Sequence, residues 1–129
     1  MNGDLLTLLN YRHILNYHKE NQSHLTIGST AHQMKVPYGV LEMEGIHIRE
    51  VKEKPTYTFR VSGGIYVLDP CLLGFIPEDE YFDITDLMAK ALKNKNILSA
   101  FPIEEYWMDI GQHQDYHKAN LDYKNLFNI

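Results

Sequence analysis

The chain has 129 residues, 44% of them hydrophobic and 22% charged, with a formal net charge of −5. This length accommodates one domain with a modest core, and its longest apolar runs fall short of the ~20 residues of a membrane-spanning helix. The acidic balance gives no electrostatic reason to expect a nucleic acid, whose phosphate backbone demands a basic face, and neither a nucleic acid nor a membrane is expected as a partner.

One cysteine, Cys71, provides no disulfide framework and fits a reducing compartment. Nothing basic stands beside it in "YVLDPCLLGF", so its expected role is core packing. The first ten residues carry no positive charge and no small-residue cleavage site of the secretory kind. The expected location is the cytoplasm.

The opening "MNGDLLTLLN" reads as the end of a buried strand that delivers a carboxylate, Asp4. Tyr11, Ile14, Leu15 and His18 then recur at helical spacing, with Asn21 as a stop. "SHLTIGST" is a short strand, and "VPYGVLEMEGIHIREVKEKP" is a hairpin whose arms flank Glu44-Gly45 and whose second arm ends at Pro55. "FRVSGGIYVLDP" is a further strand with paired glycines. Asp83 caps a helix with an apolar stripe of Ile84, Leu87, Met88, Ala91 and Leu92. "NILSAFPI" and "EEYWMDIG" are short extended segments, and a last helix from about Gln112 carries Tyr116, Ala119, Tyr123 and Leu126 on one face. Alternation of this kind predicts an α/β layered sheet with the hairpin as an insertion. With no repeat, low-complexity tract or linker, residues 1–129 are expected to form a single unit.

Two carboxylates stand out. Asp4 in "NGDLL" and Asp109 in "WMDIG" each border an apolar extended run and a glycine. They could converge on one Mg²⁺ at the ends of sheet strands; taken singly, they read as a turn former and a helix cap. Glu53 and Lys54 in "VKEKP" could reach one ligand from a bend, the carboxylate to sugar hydroxyls and the ammonium to a phosphate, or form an exposed charged strand end. Gly39 in "PYGV" and Gly63 and Gly64 in "VSGGIY" leave room for a ring against the backbone or mark tight turns. His113 and His117 stand four apart, a zinc-compatible spacing, yet no third ligand accompanies them and no zinc role is expected. There is no Gly-x-Ser-x-Gly elbow, Cys-x-x-Cys pair or P-loop.

"NGD", "VPYGV", "EKP", "GGIYVLDP" and "WMDIGQHQDYHKAN" occur in the order found in sugar-1-phosphate nucleotidyltransferases. Over nearly its whole length the chain resembles that family, in particular its mannose-1-phosphate guanylyltransferase-like branch. The resemblance implies a Rossmann-like α/β sheet and transfer of a nucleotidyl group from a nucleoside triphosphate to a sugar 1-phosphate, with release of pyrophosphate. It implies Asp4 and Asp109 as Mg²⁺ ligands and Lys54 as the holder of the sugar phosphate. Glu53 and Gly39 would contact the sugar ring, and Gly63 or Gly64 would lie along the sugar pocket. Ser62 stands where many relatives carry Asn.

The family's glycine-rich triphosphate loop, of the Gly-x-Gly-Thr-Arg-Leu kind, is absent from the 129 residues. The chain is therefore expected to be the C-terminal, sugar-phosphate-binding half of a catalytic domain, without the N-terminal nucleotide-binding half. Such a half is expected to be inactive alone and to self-associate through an exposed sheet edge. Two other readings are a non-catalytic sugar-phosphate-binding module and an interaction domain presenting Tyr106, Trp107, Tyr116 and Tyr123.

Overall fold

The computed structural model describes residues 1–127. Its elements run β1 (Leu5–Thr7), α1 (Tyr11–Glu20), β2 (Leu25–Lys35), β3 (Val40–Glu44), β4 (His47–Lys52), β5 (Thr56–Leu68), a 3-10 helix (Pro70–Phe75), α2 (Ile84–Lys93), β6 (Leu98–Pro102), β7 (Trp107–Asp109) and α3 (His113–Leu126). Local chemistry explains where the helices begin. The Asn10 side chain accepts from the Arg12 N–H at 3.1 Å and starts α1. Asp83 accepts from the Ile84 N–H while the Asp86 carboxylate accepts from the Asp83 N–H at 3.0 Å, a capping box at the head of α2.

The chain divides into two compact units, residues 1–29 with 62–129, and residues 30–61. In the first unit, β6 runs parallel to the start of β2, from Leu25 opposite Leu98 to Ser29 opposite Pro102, and α2 lies on the crossover between them. The strand order in this sheet is β5-β2-β6. Successive side chains of β5 alternate faces and so enter two different cores. Ile65 packs with Leu9, Ile14 and Ile103, and Val67 lies against that cluster. Tyr66 and Leu68 lie against a second cluster of Leu25, Leu72, Leu87 and Ala91. One cluster contains α1's Ile14 and the other α2's Leu87 and Ala91, so the sheet is covered on both faces, the layered α/β arrangement expected.

Both apolar stripes are narrower than their periodicity suggests. In α1 only Ile14 and His18 are buried, whereas Tyr11 and Leu15 are exposed. His18 is a satisfied core histidine, its Nδ1 lying 2.9 Å from the buried Thr26 hydroxyl. In α2, Leu92 is 60% exposed, because it points about 100° around the helix from buried Ala91. The strand expected over "SHLTIGST" continues to Lys35. The 3-10 helix was not expected; Asp69 caps it by accepting from the Cys71 N–H at 2.9 Å. It buries Leu72 completely and leaves Cys71 exposed, which corrects the expectation of a core cysteine. The Asp69 carboxylate, by hydrogen bonding and then by its charge together with local desolvation, pushes the Cys71 thiol up, away from the reactive thiolate.

The second unit contains the β3–β4 hairpin. Its turn is Gly45-Ile46, one residue later than expected, with Gly45 at φ +61°. A bulge interrupts the register between Glu42 and Met43. Lys52 pairs with Glu42 and, at 3.6 Å, with Glu50. The apolar cross-strand pairs Leu41–Val51 and Met43–Ile48 are exposed. Among the described residues, no helix is long and apolar enough to cross a membrane.

Gly63 marks the tightest backbone approach in the first unit. A Cβ there would lie 2.8 Å from Ile103 Cδ1, 3.1 Å from the Gly28 carbonyl oxygen and 3.3 Å from Trp107 Nε1. The Ile103 methyl can swing aside; the Gly28 carbonyl cannot. Gly63→Ala is expected to destabilise the chain by about 1–3 kcal/mol, read as a lower midpoint in urea denaturation.

Candidate functional site

Two short strands bring the ends of the chain together. β1 and β7 pair antiparallel, with Leu5 opposite Asp109, Leu6 opposite Met108 and Thr7 opposite Trp107. Hydrogen bonds extend this ladder at both ends. The Ile110 N–H donates to the Asp4 carbonyl at 2.8 Å, and the Leu8 N–H and Thr7 hydroxyl both donate to the Tyr106 carbonyl, at 2.9 and 2.8 Å. Asp4 and Asp109 therefore occupy the same end of one ladder, both exposed to solvent.

The placement of Asp4 differs from expectation in one respect. The strand follows the acid instead of preceding it, because Leu5–Thr7 finds its backbone partners in β7. Asp4 sits in a bend just before β1, so the strict alternation of a strand does not govern its side chain. At the other acid, Gly111 leaves space, and a Cβ there would lie 3.6 Å from Asp109 Oδ1.

The paired glycines of β5 lie along this ladder, Gly64 tied to Asn2 beside Asp4 and Gly63 to Trp107 at the other end. The Asn2 N–H donates to the Gly64 carbonyl at 2.8 Å, and the Trp107 indole N–H donates to the Gly63 carbonyl at 2.8 Å. Gly64 has φ +71°, and a Cβ on it would fall 2.8 Å from the Asn2 amide nitrogen and 3.1 Å from Leu5 Cδ1. A side chain at Gly64 is thus opposed both by conformation and by space. The Ser62 hydroxyl accepts from the Gly64 N–H at 3.3 Å and lies 2.9 Å from the Tyr66 hydroxyl. Asp4, Asp109, Gly63 and Gly64, four of the residues singled out in the sequence, are brought together within the first unit.

Gly39, Glu53 and Lys54 come together within the second unit. A Cβ on Gly39 would lie 3.4 Å from Glu53 Oε2, and Lys54 Nζ is 3.7 Å from Glu53 Oε1. Both charged side chains are well exposed, and such a surface pair contributes little to stability. The expected bend at 53–54 is present, and it is strained. Lys54 has φ +44° immediately before Pro55, a left-handed conformation that costs a non-glycine residue about 1–3 kcal/mol. Gln22, Asp79 and Lys95 share this left-handed conformation, at φ +50°, +58° and +60°.

Among the described residues, no group of three or more His, Cys, Asp or Glu side chains is arranged to hold a metal. A pair of carboxylates is nevertheless the usual protein share of a Mg²⁺ site, since the ion keeps waters and takes substrate phosphate oxygens for its other positions. The hard oxygen donors of Asp4 and Asp109 fit that pattern.

Tyr106 is a residue whose role its own sequence context does not signal. Its hydroxyl donates to Asp122 Oδ2 at 2.6 Å, tying the start of β7 to α3, and lies 3.2 Å from Met108 Sδ. With Trp107 committed to Gly63, two of the four aromatics considered for an outer partner are engaged inside the fold. Tyr116 and Tyr123 remain exposed.

The nucleotidyl transferase family model matches residues 1–125. The chain belongs to the nucleotidyl transferase family. It is 32% identical over 122 residues to the mannose-1-phosphate guanyltransferase of Schizosaccharomyces pombe, covering 90% of this chain and 33% of that protein. To the glucose-1-phosphate adenylyltransferase of Clostridium beijerinckii it is 28% identical over 134 residues, covering 95% of this chain and 35% of that protein. The crystal structure of HddC from Yersinia pseudotuberculosis matches with a TM-score of 0.62 at 25% identity, over 95% of this chain and 53% of that one. The chain thus spans about a third of the length of these curated relatives. These relatives are sugar-1-phosphate nucleotidyltransferases, a family of enzymes, and the fold is their Rossmann-like α/β type. The nucleotidyl transferase match includes the β1–β7 ladder, the glycine pair of β5 and the strained Lys54.

Desolvation, then the Asp122 carboxylate, push the Tyr106 phenol up to about 12. A phenol that holds its proton more tightly when folded adds stability below its ordinary value near 10, and that contribution disappears as pH rises through about 12. In an alkaline spectrophotometric titration of the nine tyrosines, one is expected to ionise last, and Tyr106→Phe is expected to remove that late step. Asp122→Asn is expected to move it to lower pH.

Proposed function

We propose that this chain carries the sugar-phosphate- and metal-binding part of a sugar-1-phosphate nucleotidyltransferase. In the reaction, a phosphate oxygen of the sugar 1-phosphate attacks the α-phosphorus of a nucleoside triphosphate. The bond from that phosphorus to the bridging oxygen breaks, and pyrophosphate leaves. Chemistry of this type relies on positioning and on neutralising phosphate charge rather than on covalent help from the protein. The observation that supports the reading is the backbone adjacency of Asp4 and Asp109 at one end of the β1–β7 ladder, where the Ile110 N–H donates to the Asp4 carbonyl and the Asn2 N–H to the Gly64 carbonyl.

Each residue then has a defined task. Asp4 and Asp109 would hold Mg²⁺, which supplies positive charge to phosphate oxygens when bound. Lys54 presents an ammonium to the sugar phosphate, as a compact point charge suited to phosphate. Glu53 accepts hydrogen bonds from sugar hydroxyls, and the missing side chain of Gly39 leaves room for the ring. Gly64 keeps the pocket wall open, and the Ser62 and Tyr66 hydroxyls lie on the same stretch of strand. The sugar 1-phosphate and the nucleoside triphosphate are the proposed substrates, and the cytoplasm is the proposed location.

Calorimetric titration with mannose 1-phosphate and glucose 1-phosphate, with and without Mg²⁺, tests the site. Binding is expected to tighten with Mg²⁺, and Asp4→Asn or Asp109→Asn to abolish that gain, a loss of about tenfold or more for a charge-assisted contact. Lys54→Met is expected to weaken binding whether or not the metal is present. Affinity indifferent to Mg²⁺ and to both aspartates would leave a non-catalytic binding module as the better description.

The 129 residues contain no glycine-rich phosphate cradle, so we propose further that they do not turn over alone. The expected result with purified chain, nucleoside triphosphate and sugar 1-phosphate is no pyrophosphate release above background. Self-association through the sheet is part of the same proposal, because β6 is an edge strand of the three-stranded sheet. Light scattering is expected to give a mass that grows with concentration, and a constant monomer mass would refute it.

A further inference from the structure

We propose that a groove beside α1, remote in composition from the sugar-phosphate site, binds an organic cation: an amine or guanidinium carried on an apolar stem. The groove has a volume of about 530 Å³ and is lined by His13, Tyr17, Phe101, Pro102, Glu104 and Glu105. That volume falls in the range of roughly 300–1,000 Å³ typical of small-molecule pockets. None of these residues is among those assigned to the sugar phosphate, the metal or the nucleotide.

The floor is aromatic and held in place. Tyr17 and Phe101 meet edge to face, with ring centroids 5.3 Å apart and planes at 76°. The Tyr17 hydroxyl donates to the Ala100 carbonyl at 3.3 Å, and Phe101 packs against the core cluster of Leu9, Ile14, Ile65 and Ile103. In an edge-to-face pair one ring turns its hydrogens to its neighbour's face, and ring faces carry the negative side of the aromatic quadrupole. An apolar stem can lie on such a floor, and a cationic head is attracted to it.

The walls carry negative charge without a compensating strong base. Glu104 is exposed and, among the described residues, forms no ion pair with a lysine or arginine. Glu105 is 31% exposed at its side chain, and its partner is His13, with Nδ1 4.0 Å from Glu105 Oε1. His13 is itself steadied by the Asn10 amide, 3.3 Å from its Nε2. No lysine or arginine lines the groove, and the chain as a whole carries a net charge of −5. An anion entering here would meet two carboxylates. A cation would meet two carboxylates and a π surface, and that charge complementarity selects it as the occupant.

The test uses the full chain and agmatine, which joins a guanidinium and an amine through an apolar stem. Two-dimensional NMR titration is expected to show saturable shifts at Tyr17, Phe101, Glu104 and Glu105. Butanol, with a similar stem and no charge, and the dianion succinate are expected to leave these signals in place. Glu104→Gln combined with Glu105→Gln is expected to weaken binding about tenfold or more. Tyr17→Leu is expected to weaken it several-fold and Tyr17→Phe to preserve it, and the latter separates loss of the π surface from loss of the fold. Equal binding of agmatine by the double Gln variant, equal binding of butanol, or shifts confined to the neighbours of Asp4 and Asp109 would each overturn the proposal.

Discussion

The three-residue ladder between Leu5–Thr7 and Trp107–Asp109 is the constraint on which the candidate site depends. Strands this short are weak, and this one is reinforced beyond its ends by the Ile110–Asp4, Leu8–Tyr106 and Thr7–Tyr106 hydrogen bonds. Without them the two acids would belong to separate, solvent-exposed turns at opposite ends of the chain. With them, the backbone fixes both acids at one edge, next to the glycine pair. Side chains then lock the arrangement from two further directions, Trp107 onto Gly63 and Tyr106 onto Asp122. An exposed site of carboxylates can hold little energy of its own, so its geometry has to be imposed by backbone pairing and by aromatic donors behind it.

The layered first unit supplies that rigidity. Alternation along β5 sends Ile65 and Val67 to one helix-covered face and Tyr66 and Leu68 to the other, so the strand carrying Gly63 and Gly64 is gripped on both sides. Both glycines sit at the edge of this gripped stretch, where the Gly28 carbonyl of β2 and the side chains of Asn2 and Leu5 come too close for a Cβ. The second unit works by different physics. Its hairpin exposes apolar pairs and carries surface ion pairs, and its distinctive feature is the left-handed Lys54 before a proline.

Two regions of the surface thus differ in kind. The end of the β1–β7 ladder offers the carboxylates of Asp4 and Asp109 beside backbone left open by glycine. The groove beside α1 offers ring faces and two carboxylates, the chemistry of an organic cation. Both draw on the same segment, residues 101–109, which passes from the sheet to the ladder and presents one face of chemistry at each end.

Much of the organisation was legible from the residues alone. The stop at Asn21, the cap at Asp83 and the periodicity around Ile14, Leu87 and Ala91 identify helices because those signals are local, made between residues a few positions apart. The ordered motifs around Asp4, Lys54, Gly64 and Asp109 pointed to the family that the match over residues 1–125 shows. The exposure of Cys71 and Leu92, the 3-10 helix at Pro70, the division into two units and the strand following Asp4 depended on the tertiary structure. So did the commitment of Tyr106 to Asp122 and of Trp107 to Gly63. Each of these is decided by which distant segment supplies a hydrogen-bond partner or a packing surface, and no spacing within a short window carries that information. The sequence by itself determined what each segment prefers to be; only the folded chain decided which segments would meet, because pairing free energy is shared between residues that the chain holds far apart.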